Sequence, residues 1–385
     1  MLRVIEASPD QIVQVRDTWD NLVDGMRRPS PFCTWEWIQT WWKHFGGRYS
    51  PLVLFVYDGP RLAGILPLAR RFMHLEDSFS VARAITYCSS LELHSDHLDI
   101  IAEASDAISC AHACVDFLTN SFRHWDVISF SHLSEEADLL RVLRDGACPF
   151  TQEISPVDSA AFIPLETSFH GRYDEWLAWL KQGRRHDLKR RRRHLENAGV
   201  VYTASTPEST ADDLRDLFRL HGMRAERKGL KTNFQGEDLY RFHCDVARLF
   251  AAKGNLWLRS LRDGDTPVAM EYCFVLGRRL FGYQMGLHPE WEQKGAGAVL
   301  LMKVIEESFA SDMSEFDFLR GGTSFKGSFA PDSRTLYDLR LYNRTVAGMA
   351  SRHLRRVRTE LKQVFKKARE KGTAQEDHIT QGPDG

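Results

Sequence analysis

Two stretches of this chain of 385 residues bring together side chains that can do chemistry. The first, Leu93-His94-Ser95-Asp96-His97-Leu98-Asp99, sets two histidines beside two aspartates directly before a strand, and these groups exchange protons near neutral pH. Its spacing fits no H-x-x-x-H or H-E-x-x-H metal pattern, so it reads as an acid–base loop or as a solvated loop with an aspartate-capped strand. The second runs from Leu280 to Arg320 and holds Lys294-Gly295-Ala296-Gly297 where a helix begins. Small residues there leave backbone N–H groups uncovered beside the positive end of the helix dipole, which suits a phosphate. Gly295 and Gly297 lack the third glycine of G-x-G-x-x-G, and no G-x-x-x-x-G-K-S/T occurs, so the usual nucleotide-binding folds are excluded. An isolated pair of glycines also reads as plain turn punctuation.

The elements around this second stretch are regular. An aromatic-rich strand, Leu280 to Leu287, turns at His288-Pro289 into a helix whose Val299, Leu300, Met302, Ile305 and Phe309 recur at 3–4 spacing, followed by a strand from Glu315 to Leu319. Upstream, strands Leu256–Leu261 and Val268–Leu276 are joined through Asp263-Gly264 and lead through Gly277-Arg278-Arg279 into Leu280. The order is β-β-β-α-β. Before it come a long helix from Tyr173 to Asn197, a strand Val200–Thr203, and helices Thr210–Arg224 and Phe242–Ala252. In the first 150 residues, Trp35, Trp37, Trp41 and Trp42 crowd one helix, where burial against a sheet explains them. A hairpin at Asp58-Gly59, strands at Arg83–Tyr87, Leu98–Ile101 and Trp125–Phe130, and helices at Ala104–Phe122 and Ser134–Arg144 complete a mixed α/β unit.

On these residues the chain resembles the GNAT acyltransferases, whose Arg/Gln-x-x-Gly-x-Gly/Ala loop holds the pyrophosphate of acetyl-CoA between a splayed strand and a helix. More narrowly it resembles the CelD/BcsL-type (BioF2-like) acetyltransferases, relatives of the FemAB-like tandem-GNAT proteins, from Pro31 to about Tyr342. Supporting stretches are Pro31-Phe32 with the tryptophans, Gly64-Ile65-Leu66-Pro67-Leu68, Ser95 to Asp99, His221 with Arg224, Lys228 and Gly229, and Phe316 to Gly321 followed by Lys326. Two departures stand out. Glu292 occupies the Arg/Gln position, with Gln293 one step late, and Gly322-Thr323 replaces acidic residues before Phe325-Lys326. A carboxylate repels pyrophosphate, so Glu292 is expected to point away.

The resemblance implies an α/β (α+β) fold of two GNAT-like domains in tandem, each a mixed, mostly antiparallel sheet flanked by helices. Residues 1–165 form a degenerate first domain and 166–345 the acyl-CoA-binding domain. A basic amphipathic helix (346–371) and a disordered tail (372–385) follow. It implies acyl transfer from acetyl-CoA, or another acyl-CoA, to an amine or hydroxyl of a small-molecule or polysaccharide-related acceptor by direct attack, without a metal. Met285, Gly286, Leu287, Gln293, Lys294, Gly295, Ala296, Gly297 and Lys326 would bind the cofactor, and Asp96, Tyr283 and Arg320 the substrate. For the base the sequence offers Asp317 first, then Asp99, His97 and Glu271, without choosing among them. A side chain at Gly295 or Gly297 would crowd the ligand and strain any φ > 0 geometry there.

Composition bounds the alternatives. A formal charge of −1 with 27% charged residues gives no global attraction to nucleic acid or membrane, so any polyanion must meet a local patch. The densest is Arg184, Arg185, Lys189 and Arg190 to Arg193, either a solvated helix end or a contact for the 3′-phosphate of coenzyme A, an acidic glycan or RNA. That last option carries the second function class, FemAB-like aminoacyl transfer from charged tRNA. A non-catalytic GNAT-fold binding module is the third. Seven cysteines without a C-x-x-C read as free thiols in a reducing compartment, and the charged N-terminus reads as neither signal nor anchor, so a cytoplasmic protein is expected. The 346–371 helix reads as packed on the body, laid on an anionic membrane or paired with a partner helix.

Overall fold

The computed structural model of the chain describes residues 2–74, 81–93, 95–146, 148–229, 232 and 234–361. Strand β1 (Arg3–Glu6) leads to helices α1 (Pro9–Gln14), α2 (Arg16–Asp24) and α3 (Trp35–Phe45). Thr34 starts α3 by accepting the Trp37 N–H on its hydroxyl. Strands β2 (Ser50–Asp58), β3 (Arg61–His74), β4 (Val81–Tyr87) and β5 (Ile101–Ala102) follow, then α4 (Ala107–Asp116), β6 (Val127–Ser134), α5 (Asp138–Asp145) and β7 (Thr151–Ile163). The second half holds α6 (Tyr173–Trp179), α7 (Gln182–Asn197), β8 (Val200–Ala204), α8 (Thr210–Arg227) and α9 (Glu237–Ala252). It continues with β9 (Leu256–Asp263), β10 (Thr266–Leu276), β11 (Arg279–Leu287), α10 (Pro289–Glu292), α11 (Ala296–Ala310), β12 (Glu315–Arg320), α12 (Ser324–Gly327) and β13 (Asp332–Tyr342). A last helix, α13, spans 346–361. The expected part of it beyond 361 and the tail lie outside the described residues.

The two halves repeat one pattern, three antiparallel strands, a helix and a parallel strand, as tandem GNAT-like units do. They are joined in one mixed sheet of thirteen strands, ordered β1-β2-β3-β4-β6-β13-β7-β12-β11-β10-β9-β8, with β5 beside β3. The sheet expected of each unit is present, and the two run into one another. Strand β13 is inserted between β6 and β7, and β7 in turn meets β12, so the halves are interleaved rather than abutted.

Several elements differ from the reading of the sequence. Strands β7 and β13 were not anticipated, because β7 carries Pro156 and few apolar residues; the register shifts at Pro156, where proline removes a ladder donor. The single helix expected over Tyr173–Asn197 breaks at Leu180, whose ψ of 139° is extended. The expected strand at Leu98–Ile101 shrinks to Ile101–Ala102, and the helix at Ser134 starts only at Asp138.

Two kinds of contact hold the seam between the halves. Trp37, fully buried, packs edge-on against Phe242, Phe274 and Tyr283 of the second half, while its indole N–H meets the hydroxyls of Ser89 and Ser95. The tryptophan-rich helix is thus core, as its composition suggested. Below it lies an ion cluster: Arg334 pairs with Glu315, with Asp317 at 3.0 Å and with Glu136 of the first half at 2.8 Å, and Arg28 bridges Glu136 and Glu315. Burial alone would raise the Asp317 pKa, but His97 and Arg334 outweigh it and hold the carboxyl at about 2.

Removing one partner of such a cluster leaves the other charges buried and unpaired. Arg334→Met should lower unfolding free energy by about 3–5 kcal/mol, read by denaturant titration. Because the folded pKa of Asp317 lies below its unfolded value of about 4, its contribution is present above that pH. It is lost as pH falls toward about 2. The acid-unfolding curve of Asp317→Asn should lack that loss.

Candidate active site

The site is a wedge between two strands. Parallel strands β11 and β12 pair only at Arg279–Glu315, Leu280–Phe316 and Phe281–Asp317; beyond that they part. Two irregularities open the gap. In β11 a bulge leaves Tyr283 unpaired between the partners of Tyr272 and Cys273. In β12 two residues, Phe318 and Leu319, stand opposite the single Ala161 of β7, and Leu319 takes φ +56°, a left-handed conformation that costs a non-glycine residue about 1 kcal/mol. The resulting cleft, about 550 Å³, is walled by Gly282, Tyr283, Met285 and Leu287 on one side and Phe318, Phe325 and Lys326 on the other.

At the mouth of the cleft α11 begins. Gly295 sits at φ +79° as its N-cap and no side chain caps it, so the first-turn N–H groups are left for a ligand. Arg191 of α7 lies over this loop. Its Nη1 donates to the Gln293 carbonyl at 2.8 Å, its Nε to Asp187 at 2.7 Å, and a Cβ on Gly295 would fall 2.5 Å from its Cδ. Arg184 and Arg224 line the same cleft. Glu292 does turn from the loop, its carboxylate 2.7 Å from Lys228 and 3.6 Å from Arg224. An uncapped helix start under arginines is a fit for the phosphates of an acyl-CoA, and an apolar wedge behind it fits a pantetheine arm.

At the foot of the wedge lies Glu271 of β10. It is buried, lines the cleft, and its Oε2 has no hydrogen-bond partner among the described residues. A Cβ on Gly282 would come within 3.2 Å of its other oxygen, so that glycine is the window through which the carboxyl meets the cleft. Burial raises its pKa to about 8, against the opposing charge of Lys326.

Residues 182–327 match the family described as acetyltransferase (GNAT) domain. No curated protein matches the chain. Among solved structures it resembles FemX at a TM-score of 0.57 and 10% identity, covering 87% of this chain and 96% of that one. The C-terminal domain of a putative lysylphosphatidylglycerol synthetase from Agrobacterium fabrum follows at 0.55 and 11%, covering 88% and 94%. A Bacteroides thetaiotaomicron protein of unknown function also scores 0.55 at 10%, covering 89% and 100%. At such identities the likeness is one of fold.

Around this cleft the sequence-predicted residues separate. Tyr283, Met285, Leu287, Gly295, Gly297, Lys326 and Glu271 line the cleft. Gly286 does not: its Cα faces Leu217 and Leu220 of α8, where a side chain would clash. Lys294 lies over the Trp291 ring instead, and Gln293 contributes its carbonyl to Arg191. Ala296 is buried at the helix start.

Five expected catalytic or substrate residues, Asp317, His97, Asp96, Arg320 and Asp99, are engaged in contacts within the protein. Asp317 accepts the Leu319 N–H at 2.7 Å and pairs with His97 at 3.0 Å and Arg334. A carboxylate so stabilised is a poor base. Asp96 takes the Arg320 N–H at 2.8 Å and its guanidinium at 3.1 Å, so this pair binds each other rather than substrate. Asp99 caps α5 through the N–H groups of Asp138 and Leu139, and burial raises its pKa to about 7. For His97, burial opposes protonation and the Asp317 charge overrides it. Lys326 reaches the cleft, yet its ammonium donates to the carbonyls of Phe318 at 2.8 Å, Leu319 and Arg320. It holds the end of β12 in place rather than offering free donors to a phosphate.

The sequence reading missed His221, Arg224, Gln284, Phe318 and Phe325 as cleft residues, and it offered Arg184 and Arg191 only as members of a basic run with several possible anions. Arg184 and Arg191 stand seven apart on one face of α7, a signal present in the spacing but hidden by the cations between them. Among the described residues no group of three or more His, Cys, Asp or Glu could hold a metal.

A Cβ on Gly297 meets Met285 Sδ at 3.3 Å and Leu287 at 3.4 Å, and its φ is not left-handed, so the strain argument applies to Gly295 alone. Gly297→Val should weaken acetyl-CoA binding by at least about tenfold, or 1.4 kcal/mol, in calorimetry, while apo thermal unfolding moves little. Lys326→Met should instead lower apo stability by about 1–3 kcal/mol in denaturant melts, since three carbonyls lose a charged donor.

Proposed function

We propose that the chain is an acyl-CoA-dependent acyltransferase in which Glu271 is the general base. The acyl-CoA supplies an activated thioester. The first-turn N–H groups of α11 with Arg191 and Arg184 bind its phosphates, and the wedge orients its arm toward Glu271. An amine or hydroxyl of the acceptor attacks the thioester carbonyl carbon, and Glu271 takes the proton the acceptor loses as the C–S bond breaks. Asp317, Asp96, Asp99 and His97 position this geometry and move no proton in it. The CelD/BcsL resemblance favours a small or polysaccharide-related acceptor, and the absence of a free cation at the foot of the wedge among the described residues favours one that is not anionic at its reacting end.

The carrying observation is the isolated, buried carboxyl at the one place where both strands turn away. A base with pKa near neutrality or above is matched to proton abstraction, and a carboxyl at about 8 accepts protons far better than an exposed one.

A second reading, aminoacyl transfer from a charged tRNA, draws support from the outer face of α7. There Arg185, Lys189, Arg190 and Arg193 line a groove of about 620 Å³ whose lining contains no carboxylate. Calorimetry separates the two. No binding of acetyl-CoA at millimolar concentration would sink the acyl-CoA reading, and RNA binding that collapses with added salt would favour the other.

For the base, Glu271→Gln should lower kcat by about 10²–10⁴-fold while leaving the acetyl-CoA Kd near that of wild type. The wild-type rate should rise with pH through about 8 as the carboxyl ionises. Because the folded pKa is raised, burial of the neutral form contributes stability at low pH that is lost as pH rises through about 8. The Gln variant should therefore melt higher than wild type at pH values above that.

A further inference from the structure

The molecule has a second concave, charged feature far from the wedge. At the start of β4 a pocket of about 450 Å³ is lined by Arg48, Arg70, Arg71, Arg83 and His124, with Phe72 on its rim. Strand β3 pairs with β2 only as far as Arg70 and continues to His74 with β4 alone, so Phe72 and Val81 stand on a two-stranded projection. Phe72 is 76% exposed and Val81 44%. A phenylalanine so exposed is left uncovered by the described residues of the chain.

The root of α13 lies at the same end of the sheet. Asp126 joins the two: it accepts the Arg83 N–H at 2.8 Å and its guanidinium at 2.9 Å, and also the Thr345 hydroxyl at 2.7 Å just before α13. On α13, Val346 is 90% exposed, with Met349, Val357 and Leu361 also exposed on the same face. Arg356 and Arg358 flank that stripe. Phe72 and Val81 on the projection, and Val346 and Met349 at the root of α13, are thus exposed apolar side chains on two elements that Asp126 ties together beside a pocket of arginines.

We infer that this end of the molecule docks on an anionic phospholipid bilayer, with Phe72, Val81, Val346 and Met349 entering the interface and the arginine pocket taking a lipid phosphate. The pairing of features selects the partner. Protruding apolar groups on convex elements need hydrocarbon to enter, which nucleic acid does not offer, and arginines beside them need phosphate at the same depth, which a bilayer supplies. Among the described residues no helix is long and apolar enough to cross a membrane, so the attachment is peripheral. The surface is separate from the wedge and stands whether or not the acyl-CoA reading does.

The test is sedimentation of the full chain with vesicles of phosphatidylcholine containing phosphatidylglycerol, against pure phosphatidylcholine. The chain should sediment with the anionic vesicles, and both Phe72→Ser/Val346→Ser and Arg48→Ala/Arg71→Ala should weaken this at least about tenfold with unchanged melting temperature. All four positions are remote from the hydrophobic core, so folding is preserved; a variant that melts lower is replaced by Phe72→Ser alone. No sedimentation, equal sedimentation with neutral vesicles, or unaltered binding by the variants would overturn the proposal. So would retention on polyglutamate beads, or binding of inorganic phosphate, by a chain that ignores the vesicles.

Discussion

The wedge depends on a strained turn of β12. Leu319, at φ +56°, would relax into the sheet and close the gap were it not fixed from several directions. Asp317 holds its N–H, Lys326 holds its carbonyl and those on either side, and Asp96 holds the N–H and guanidinium of Arg320. Arg334 and His97 in turn fix Asp317. The groups come from the loop before β5, from β12, from α12 and from β13, so the opening of the second half is set partly by the first. A binding cleft that both halves brace is a reason for the tandem arrangement itself.

Charge is distributed along the cleft in keeping with this division. The mouth is cationic, with Arg184, Arg191 and Arg224, and the two carboxylates there, Asp187 and Glu292, pair with Arg191 and Lys228. The foot holds a single buried acid. Between them the walls are apolar or aromatic, and Tyr283 belongs both to the cleft and to the Trp37 cluster at the seam. A polyanionic ligand with a neutral arm would find its charge matched at one end and its reactive group delivered to a base at the other.

Local features of the sequence were legible and non-local ones were not. The Gly295 loop and the β-β-β-α-β order could be read because hairpin turns, helix starts and 3–4 periodicity are written in consecutive residues. The sequence reading puts Asp317 ahead of Glu271 although both are acids in apolar strands; only packing shows that one faces Arg334 and the other an open wedge. Gly286 and Gly297 likewise look alike in sequence, yet one admits α8 and the other lines the cleft. Strand β7 escaped notice because Pro156 and the polar residues around it break the strand pattern before its buried end at Ala160–Ile163.

The insertion of β13 between β6 and β7 also has a bearing on how the chain is made. Strands β6 and β7 emerge from the ribosome with no direct pairing to each other, and the strand that bridges them is residues 332–342. The first half cannot complete its sheet during synthesis; it waits, with two open edges, for nearly the whole chain. Closing contacts between positions some two hundred apart makes this a slow, high-contact-order step. It is also the stage at which the nascent protein is most exposed to pairing with another copy and most in need of a chaperone.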